Sequence, residues 1–350
     1  MTETMKAVVY TGAALPEVQE RPKPVIEAPG DALVQMLYST ICGTDLHILR
    51  GDVPTVDRGR VLGHEGVGRI VAVGSAVPPT LCPGDIVLLA CITACRACAA
   101  CHRGMCSHCT GGGWQLGNLI DGTQAEYVRV PHAAGSLYPL PESLDPQAAV
   151  ALSDALPTGM ECGTLNARIA PGCSVAIVGA GPVGLAALLT ARLSTPARIV
   201  VFDLDEARLA HARRLGADET LSPLDAGAVD QLLDKMDVPG FDAVIEAVGI
   251  PQTFSLCQRL VGPGGVIANV GVHGQPVSLA LDKLWDRNIT ITTRLVDAVT
   301  IPTLMRLWQS NRLDPGALIT DNFPFSNVLD AYRRFQEAAN TGTLKVGITF

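Results

Sequence analysis

Cys173-Ser174-Val175-Ala176-Ile177-Val178-Gly179-Ala180-Gly181-Pro182-Val183-Gly184 is the stretch on which the fold turns. Up to Val178 it is a short apolar run with the length and content of a strand. From Val183 to Leu193 it continues as an apolar helix. Between the two, Gly179, Gly181 and Gly184 stand at the G-x-G-x-x-G spacing. In a turn of this kind the first glycine permits the bend, the second lets backbone approach a pyrophosphate, and the third lets helix pack on strand. The helix then points its free N–H groups and positive dipole end at the phosphates. A glycine turn alone says little, but Asp203, nineteen residues after Gly184, closes the next apolar run, Ile199 to Phe202. An acid at that place accepts hydrogen bonds from ribose hydroxyls and repels a 2′-phosphate. Asp205 lies close by and no basic residue directly follows Asp203, so the expected dinucleotide is NAD rather than NADP.

Outward from this turn, strand and helix alternate. Helical stretches are expected at Glu206 to Leu215, Ala228 to Met236 and Thr253 to Leu260, and strands at Ala243 to Ala247 and Val266 to Val270. Alternation at this spacing is that of βαβ units, so the segment reads as a parallel sheet covered on both faces. After about Thr293 the alternation stops. Thr303 to Asn311 and Asn327 to Asn340 read as helices and Val346 to Phe350 as a closing strand.

The first 145 residues read as an irregular, turn-rich β domain. Strands are expected at Lys6 to Tyr10, Leu33 to Tyr38, Val61 to Val73, Ile86 to Leu89 and Tyr127 to Val130, with the proline-rich stretch Pro16 to Pro29 between the first two. No helix is expected before about residue 147. Inside this region Cys42-Gly43-Thr44-Asp45-Leu46-His47 sets a thiol, a hydroxyl, a carboxylate and an imidazole within six residues, and Gly63-His64-Glu65-Gly66 follows. Thiolate with imidazole is zinc-ligand chemistry, whereas one buried cysteine and one core histidine taken alone would be packing.

Cys95, Cys98, Cys101 and Cys109 have two, two and seven residues between them. Such spacers let four thiolates converge on one ion, leaving no open position, so the site would be structural. Cys91, His102, Cys106 and His108 are nearby spare candidates. An iron–sulfur cluster also takes four cysteines, but no proline follows the last one and hydride chemistry needs no second redox centre, so zinc is preferred.

Composition excludes several classes. The 350 residues carry 26 basic against 34 acidic side chains, net charge −8, which disfavours nucleic acid or an anionic membrane as partner. Met1 to Tyr10 lacks the basic-then-apolar pattern of a signal peptide. The most apolar window, Val175 to Leu189, is broken by glycine and proline, where a spanning helix needs about 20 uninterrupted apolar residues. Six of the eleven cysteines fall between Cys91 and Cys109, a cluster that suits metal rather than disulfides in a large cytoplasmic chain.

Together these motifs, in this order over essentially the whole length, resemble the zinc-dependent alcohol dehydrogenases of the medium-chain dehydrogenase/reductase superfamily, and most closely the bacterial secondary-alcohol enzymes. The resemblance implies an α/β protein with a Rossmann nucleotide-binding domain at 158–295 and a GroES-like irregular β catalytic domain at 1–157. The structural-zinc lobe would lie at about 91–112, and 296–350 would return to the catalytic domain. Cys42 and His64 match ligands of a catalytic zinc, and Asp154, in Ser153-Asp154-Ala155-Leu156-Pro157-Thr158-Gly159, falls at the third ligand position. An N-cap role ahead of Thr158 is the alternative for Asp154. Glu65 would be a fourth ligand or lie beside the metal.

The resemblance also implies that Thr44 takes the alcohol proton and passes it through the nicotinamide ribose hydroxyls to His47, which releases it to solvent. By position, Pro182 and Val183 join the glycine turn, Arg208 lies on the adenosine side, and Val248, Val270, Gly271, Val272 and Leu295 lie on the nicotinamide side. Gly43 stands where many animal relatives carry a basic residue, which removes one pyrophosphate contact and makes Lys345 a candidate to supply it. Trp114 reads equally as pocket wall or packing. The implied reaction transfers a hydride between a small primary or secondary alcohol and NAD, with one catalytic and one structural zinc, in a cytoplasmic homo-oligomer, a tetramer rather than a dimer. A polyol, diol or amino-alcohol substrate is the alternative; a metal-free reductase would lack the zinc ligands, and a non-enzymatic sensor would have lost relay or metal site.

Overall fold

A six-stranded parallel sheet grows from Ser174–Val178. Its strand order is Glu219–Leu221, Arg198–Phe202, Ser174–Val178, Phe241–Glu246, Val261–Asn269 and Thr290–Thr293. Every neighbouring pair is parallel, and the order reverses direction between Ser174–Val178 and Phe241–Glu246. That point is the switch of a doubly wound fold, where strand C-termini part and ligands bind. Ala176, Val178, Val200, Phe202, Phe241, Val244 and Ile267 are buried in one cluster, consistent with strands covered on both faces. Phe202 and Phe241 meet edge to face at 6.5 Å within it.

This computed structural model describes residues 3–350. The chain divides into two units, Met1–Asp154 with Asp297–Phe350, and Ala155–Val296. The first contains a seven-stranded sheet in which Ile319–Pro324, Lys345–Thr349, Ala32–Ile41, Gly66–Val73, Ile86–Leu89 and Leu137–Pro139 are successive neighbours, and Tyr127–Val130 pairs with Ala32–Ile41. Ile319–Pro324 and Lys345–Thr349 are parallel; the remaining pairs are antiparallel. Because Val346 pairs with Ile41, the C-terminal strand lies beside the residues that lead into Cys42.

Three expectations are corrected. Gly43–Leu49 is a helix, well before residue 147, and Ala99–His102 and Ala133–Ser136 are further short ones. Seven residues show too few turns for an apolar period to register, and Asp45, accepting the Cys42 N–H at 2.8 Å, starts the helix by a local bond instead. The expected strand from Val61 begins only at Gly66, with Val61 making an isolated bridge to Val9, so His64 and Glu65 lie in irregular backbone. Glu17–Pro22, inside the proline-rich stretch, is a polar strand paired with Thr4–Val9.

Candidate metal centres and cofactor loop

Cys42, His64, Glu65 and Asp154 each bring a ligand atom within 4.8 Å of the others. Cys42 directly follows the strand Ala32–Ile41 and caps the N-terminus of the helix Gly43–Leu49, and its backbone is pinned by Asp45. Asp45 is in turn held by Gln124 Nε2 at 3.1 Å, and Gln124 Oε1 accepts from the Tyr332 hydroxyl at 2.6 Å. His64 follows Gly63, whose φ of +94° and lack of a Cβ are both required, since a Cβ would meet Thr123 Oγ1 at 2.6 Å and Gln124 N at 2.9 Å. Ser153 Oγ accepts from Gly66 N at 3.0 Å, which ties the approach to Asp154 to the His64 loop.

The Asp154 carboxylate turns to the other donors. Its Oδ2 is 3.5 Å from His64 Nε2 and 3.9 Å from Cys42 Sγ. Burial opposes a charge on His64, yet Asp154 and Cys42 hold its imidazole well above the ordinary range. Negative charge is thus concentrated where a dication would relieve it, and metal entry would displace that proton. A soft thiolate, an imidazole and a carboxylate make a zinc-type donor set with a position left for a small ligand. The Trp114 ring stands edge-on to His64 at 6.1 Å, so this aromatic borders the donor set while also packing on the core.

Glu65 has a partner that sequence reading missed. Lys345 Nζ lies 2.9 Å from its Oε1 and 2.6 Å from its Oε2, and Thr40 Oγ1 also donates to Oε2. Burial pushes the Glu65 carboxyl up and would drive the Lys345 ammonium down, but the facing carboxylate holds Lys345 above its usual range, so the two form an ion pair. Lys345 is 2% exposed. The expectation that it contacts a pyrophosphate is therefore corrected: its charge is engaged inside its own unit by Glu65.

Thr44 Oγ1 is 3.7 Å from Cys42 Sγ. One turn on, His47 is partly exposed, with Nδ1 at 3.0 Å from both Asp52 Oδ2 and Arg50 Nη2. His47 and Arg50 together hold the Asp52 carboxyl below its ordinary value.

The second group is Cys95, Cys98, Cys101 and Cys109, with ligand atoms again within 4.8 Å of one another. Backbone N–H groups, chiefly of Cys101 and Thr110, lower the Cys98 thiol to about 5, while burial and the neighbouring thiols raise Cys101 to about 12. Four sulfurs competing for negative charge in one loop are what a tetrahedral zinc would accommodate. None of the spare candidates belongs to the group: Cys106 Sγ is held by Arg96 Nη1 at 3.0 Å, and His108 faces Ser107 at 2.9 Å. Asp297 anchors the lobe by accepting from Ser107 N at 2.9 Å and Oγ at 2.7 Å.

In the other unit the glycine turn joins Ser174–Val178 to the helix Pro182–Arg192. A Cβ on Gly184 would meet Gly179 O at 1.9 Å, while one on Gly181 would meet nothing within 4 Å. Gly184 thus closes the helix on the strand, and Gly181 faces open space where a phosphate can approach backbone. Asp203 accepts from Ala180 N at 2.6 Å and Asp205 N at 2.9 Å, so the acid also braces the turn. Arg208 Nε lies 3.8 Å from the Asp205 carboxylate. Val248, Val272 and Leu295 are exposed, and Val270 and Gly271 half-buried. Replacing Asp203 by alanine is expected to raise KM for NAD about tenfold and to leave KM for NADP less affected, read from initial rates with both cofactors.

Residues 28–142 match the family model of the alcohol dehydrogenase GroES-like domain, and residues 182–310 that of the zinc-binding dehydrogenases. The chain is 35% identical to an alcohol dehydrogenase of Cupriavidus necator over 99% of both chains. Among solved structures it resembles zinc dependent alcohol dehydrogenase 2 from Streptococcus pneumonia in its apo form, with TM-score 0.94, 47% identity and 99% and 98% of the two chains covered. It also resembles the alcohol dehydrogenase TADH from Thermus sp. ATN1, with TM-score 0.90, 34% identity and 99% of each chain covered.

Proposed function

We propose, for a chain that belongs to the zinc-dependent alcohol dehydrogenases of the medium-chain dehydrogenase/reductase superfamily, that it interconverts small primary or secondary alcohols and their carbonyl products with NAD. The observation that carries this reading is the convergence of Cys42, His64 and Asp154, beside Glu65, on one centre. Zinc held at that centre would supply Lewis acidity toward an alcohol oxygen, and bound NAD would supply the hydride acceptor.

The chain's own groups do the rest. Cys42, His64 and Asp154 would hold the metal, while Glu65, already paired with Lys345, balances charge behind it. Thr44, 3.7 Å from the Cys42 sulfur, would accept a hydrogen bond from an alcohol held there, and His47, a partly exposed imidazole, would pass the proton to solvent. Trp114 would form an apolar wall next to His64. Cys95, Cys98, Cys101 and Cys109 would close around a structural zinc. Gly179, Gly181, Pro182, Val183, Gly184, Asp203 and Arg208 would bind the adenosine and phosphate end of NAD, and Val248, Val270, Gly271, Val272 and Leu295 the nicotinamide end.

We further read the protein as a homo-oligomer, a tetramer rather than a dimer. Thr290–Thr293 is an edge strand, and Leu281 and Trp285 just before it are 59% and 78% exposed. An unpaired edge next to apolar side chains suits pairing across a two-fold axis. Among the described residues no helix is long and apolar enough to cross a membrane, which agrees with a cytoplasmic setting.

The test is NAD reduction with 2-propanol, ethanol and 2,3-butanediol. Turnover of the mono-alcohols with NAD, and much less with NADP, is expected. Turnover of 2,3-butanediol alone would transfer the assignment to polyols, and no turnover with any alcohol would remove it.

A further inference from the structure

The Glu246 carboxylate is wholly buried and has no place in the chemistry described above. It closes the strand Phe241–Glu246, and its Oε1 accepts three hydrogen bonds, from Val248 N at 3.1 Å, Gly249 N at 2.9 Å and Thr253 Oγ1 at 2.6 Å. The backbone carbonyl of Glu246 takes two more, from Val270 N at 2.8 Å and Gly271 N at 3.0 Å. One residue thus ties together two turns, the one bearing Val248 and the one bearing Val270, Gly271 and Val272.

The turns also interlock sterically. A Cβ on Gly249 would meet Val272 O at 2.3 Å, and one on Gly271 would meet both Gly249 N and Glu246 Oε2 at 2.3 Å. Glu246 Oε2 itself has no hydrogen-bond partner, an exceptional state for a buried carboxylate oxygen. The nearest cation-capable group is His273 Nε2 at 3.5 Å.

The surroundings assign the His273 proton. Asn269 Nδ2 donates to Gly271 O at 2.9 Å, which turns Asn269 Oδ1 toward His273 Nε2 at 2.8 Å. Nε2 therefore carries a hydrogen, aimed at Asn269 and within reach of Glu246 after a small shift. Phe254 packs edge-on against the ring at 6.0 Å. Lys, Arg, Asp and Cys side chains do not enter hydrogen bonds with this pair among the described residues; Glu246 faces His273 and Thr253, and His273 faces Asn269 and Glu246.

We propose that Glu246 and His273 form a positioning pair that holds the two nicotinamide-side turns in register and so sets the affinity for the dinucleotide. The inference rests on the reading of Val248, Val270, Gly271 and Val272 as nicotinamide-side residues. The pair touches neither substrate nor reacting atoms; it acts through the backbone of the turns.

Glu246→Gln isolates the pair from the rest of the scaffold. The glutamine oxygen can keep the three donors, but its amide N–H then opposes the His273 N–H. His273→Leu removes the other member. Each variant is expected to raise the NADH dissociation constant, followed by fluorescence, and KM for NAD about tenfold, with KM for the alcohol unmoved. The double variant is expected to be no weaker than the poorer single one, since both disrupt one interaction. NADH affinity within twofold of the parent in both single variants, even with a lowered melting temperature, would reduce the pair to packing. Independent, multiplicative losses in the double variant would also overturn it. A parent protein that fails to bind NADH at all would instead sink the cofactor reading itself, a result separable from either.

Discussion

Lys345→Met is expected to destabilise the protein by about 3–5 kcal/mol, because it removes one partner of a fully buried ion pair and strands the other. Glu65 is 0% exposed and meets Lys345 with both carboxylate oxygens. Thr40 remains as a donor to Glu65 but cannot neutralise it. Methionine fills much of the lysine stem's volume, so the loss reports charge rather than a cavity. Chemical denaturation of metal-stripped protein gives the magnitude without stabilisation by bound zinc. The double variant Glu65→Gln with Lys345→Met is expected to recover part of the loss, as a coupled pair should. A cost below about 1 kcal/mol would mean that Glu65 is not charged in the folded, metal-free protein. The pair also bears on the proposed metal site: with its charge already answered by Lys345, Glu65 would add little net anion to the donor set, and Cys42 with Asp154 would supply the two negative charges a dication needs.

The second large effect is on metal content and turnover. Protein purified without added metal is expected to carry about two zinc ions per chain, one for each four-donor group. Cys42→Ala is expected to leave about one zinc, with turnover reduced at least about a thousandfold, since the Lewis acid that this centre would hold could no longer bind. Its fold should persist, because the core around Ile41, Ile48 and Leu62 does not depend on the thiol. Cys98→Ser should show the opposite pattern, losing the other zinc and lowering the melting temperature through the lobe. Atomic absorption, turnover and melting curves on the same preparations separate the two. A Cys42→Ala protein that keeps both metals and its rate would dismiss the first group as a catalytic centre; one zinc in the unaltered chain, lost only in Cys98→Ser, would do the same.

What the sequence determined by itself is what neighbouring residues can specify. The glycine turn, the strand before it, the helix after it and Asp203 lie within about thirty residues, the scale of one βαβ unit, so their local arrangement is written in spacing. The cysteine lobe is similar: Cys95, Cys98, Cys101 and Cys109 span a single loop, and short spacers leave their thiols few places to go. The alternation from Cys173 onward told the fold class for the same reason, each element announcing itself by its own period.

What only the tertiary structure decided involves partners far apart in the chain. Lys345 and Glu65 are separated by 280 residues, and nothing local distinguishes a lysine destined for a buried ion pair from one facing solvent. Tyr332 reaches Gln124, Asp45 and so the backbone of Cys42 because a C-terminal strand and helix pack beside the strand that ends there. The helix Gly43–Leu49 and the polar strand Glu17–Pro22 escaped the pattern because one is too short for a period and the other borrows its stability from a neighbour. His273 came to face Glu246 only through the order of the parallel strands and the turns at their ends. Spacing names the groups that can hold a metal or a phosphate; long-range packing chooses which charges stand behind them, because the dielectric of the interior makes those charges depend on partners that no local pattern records.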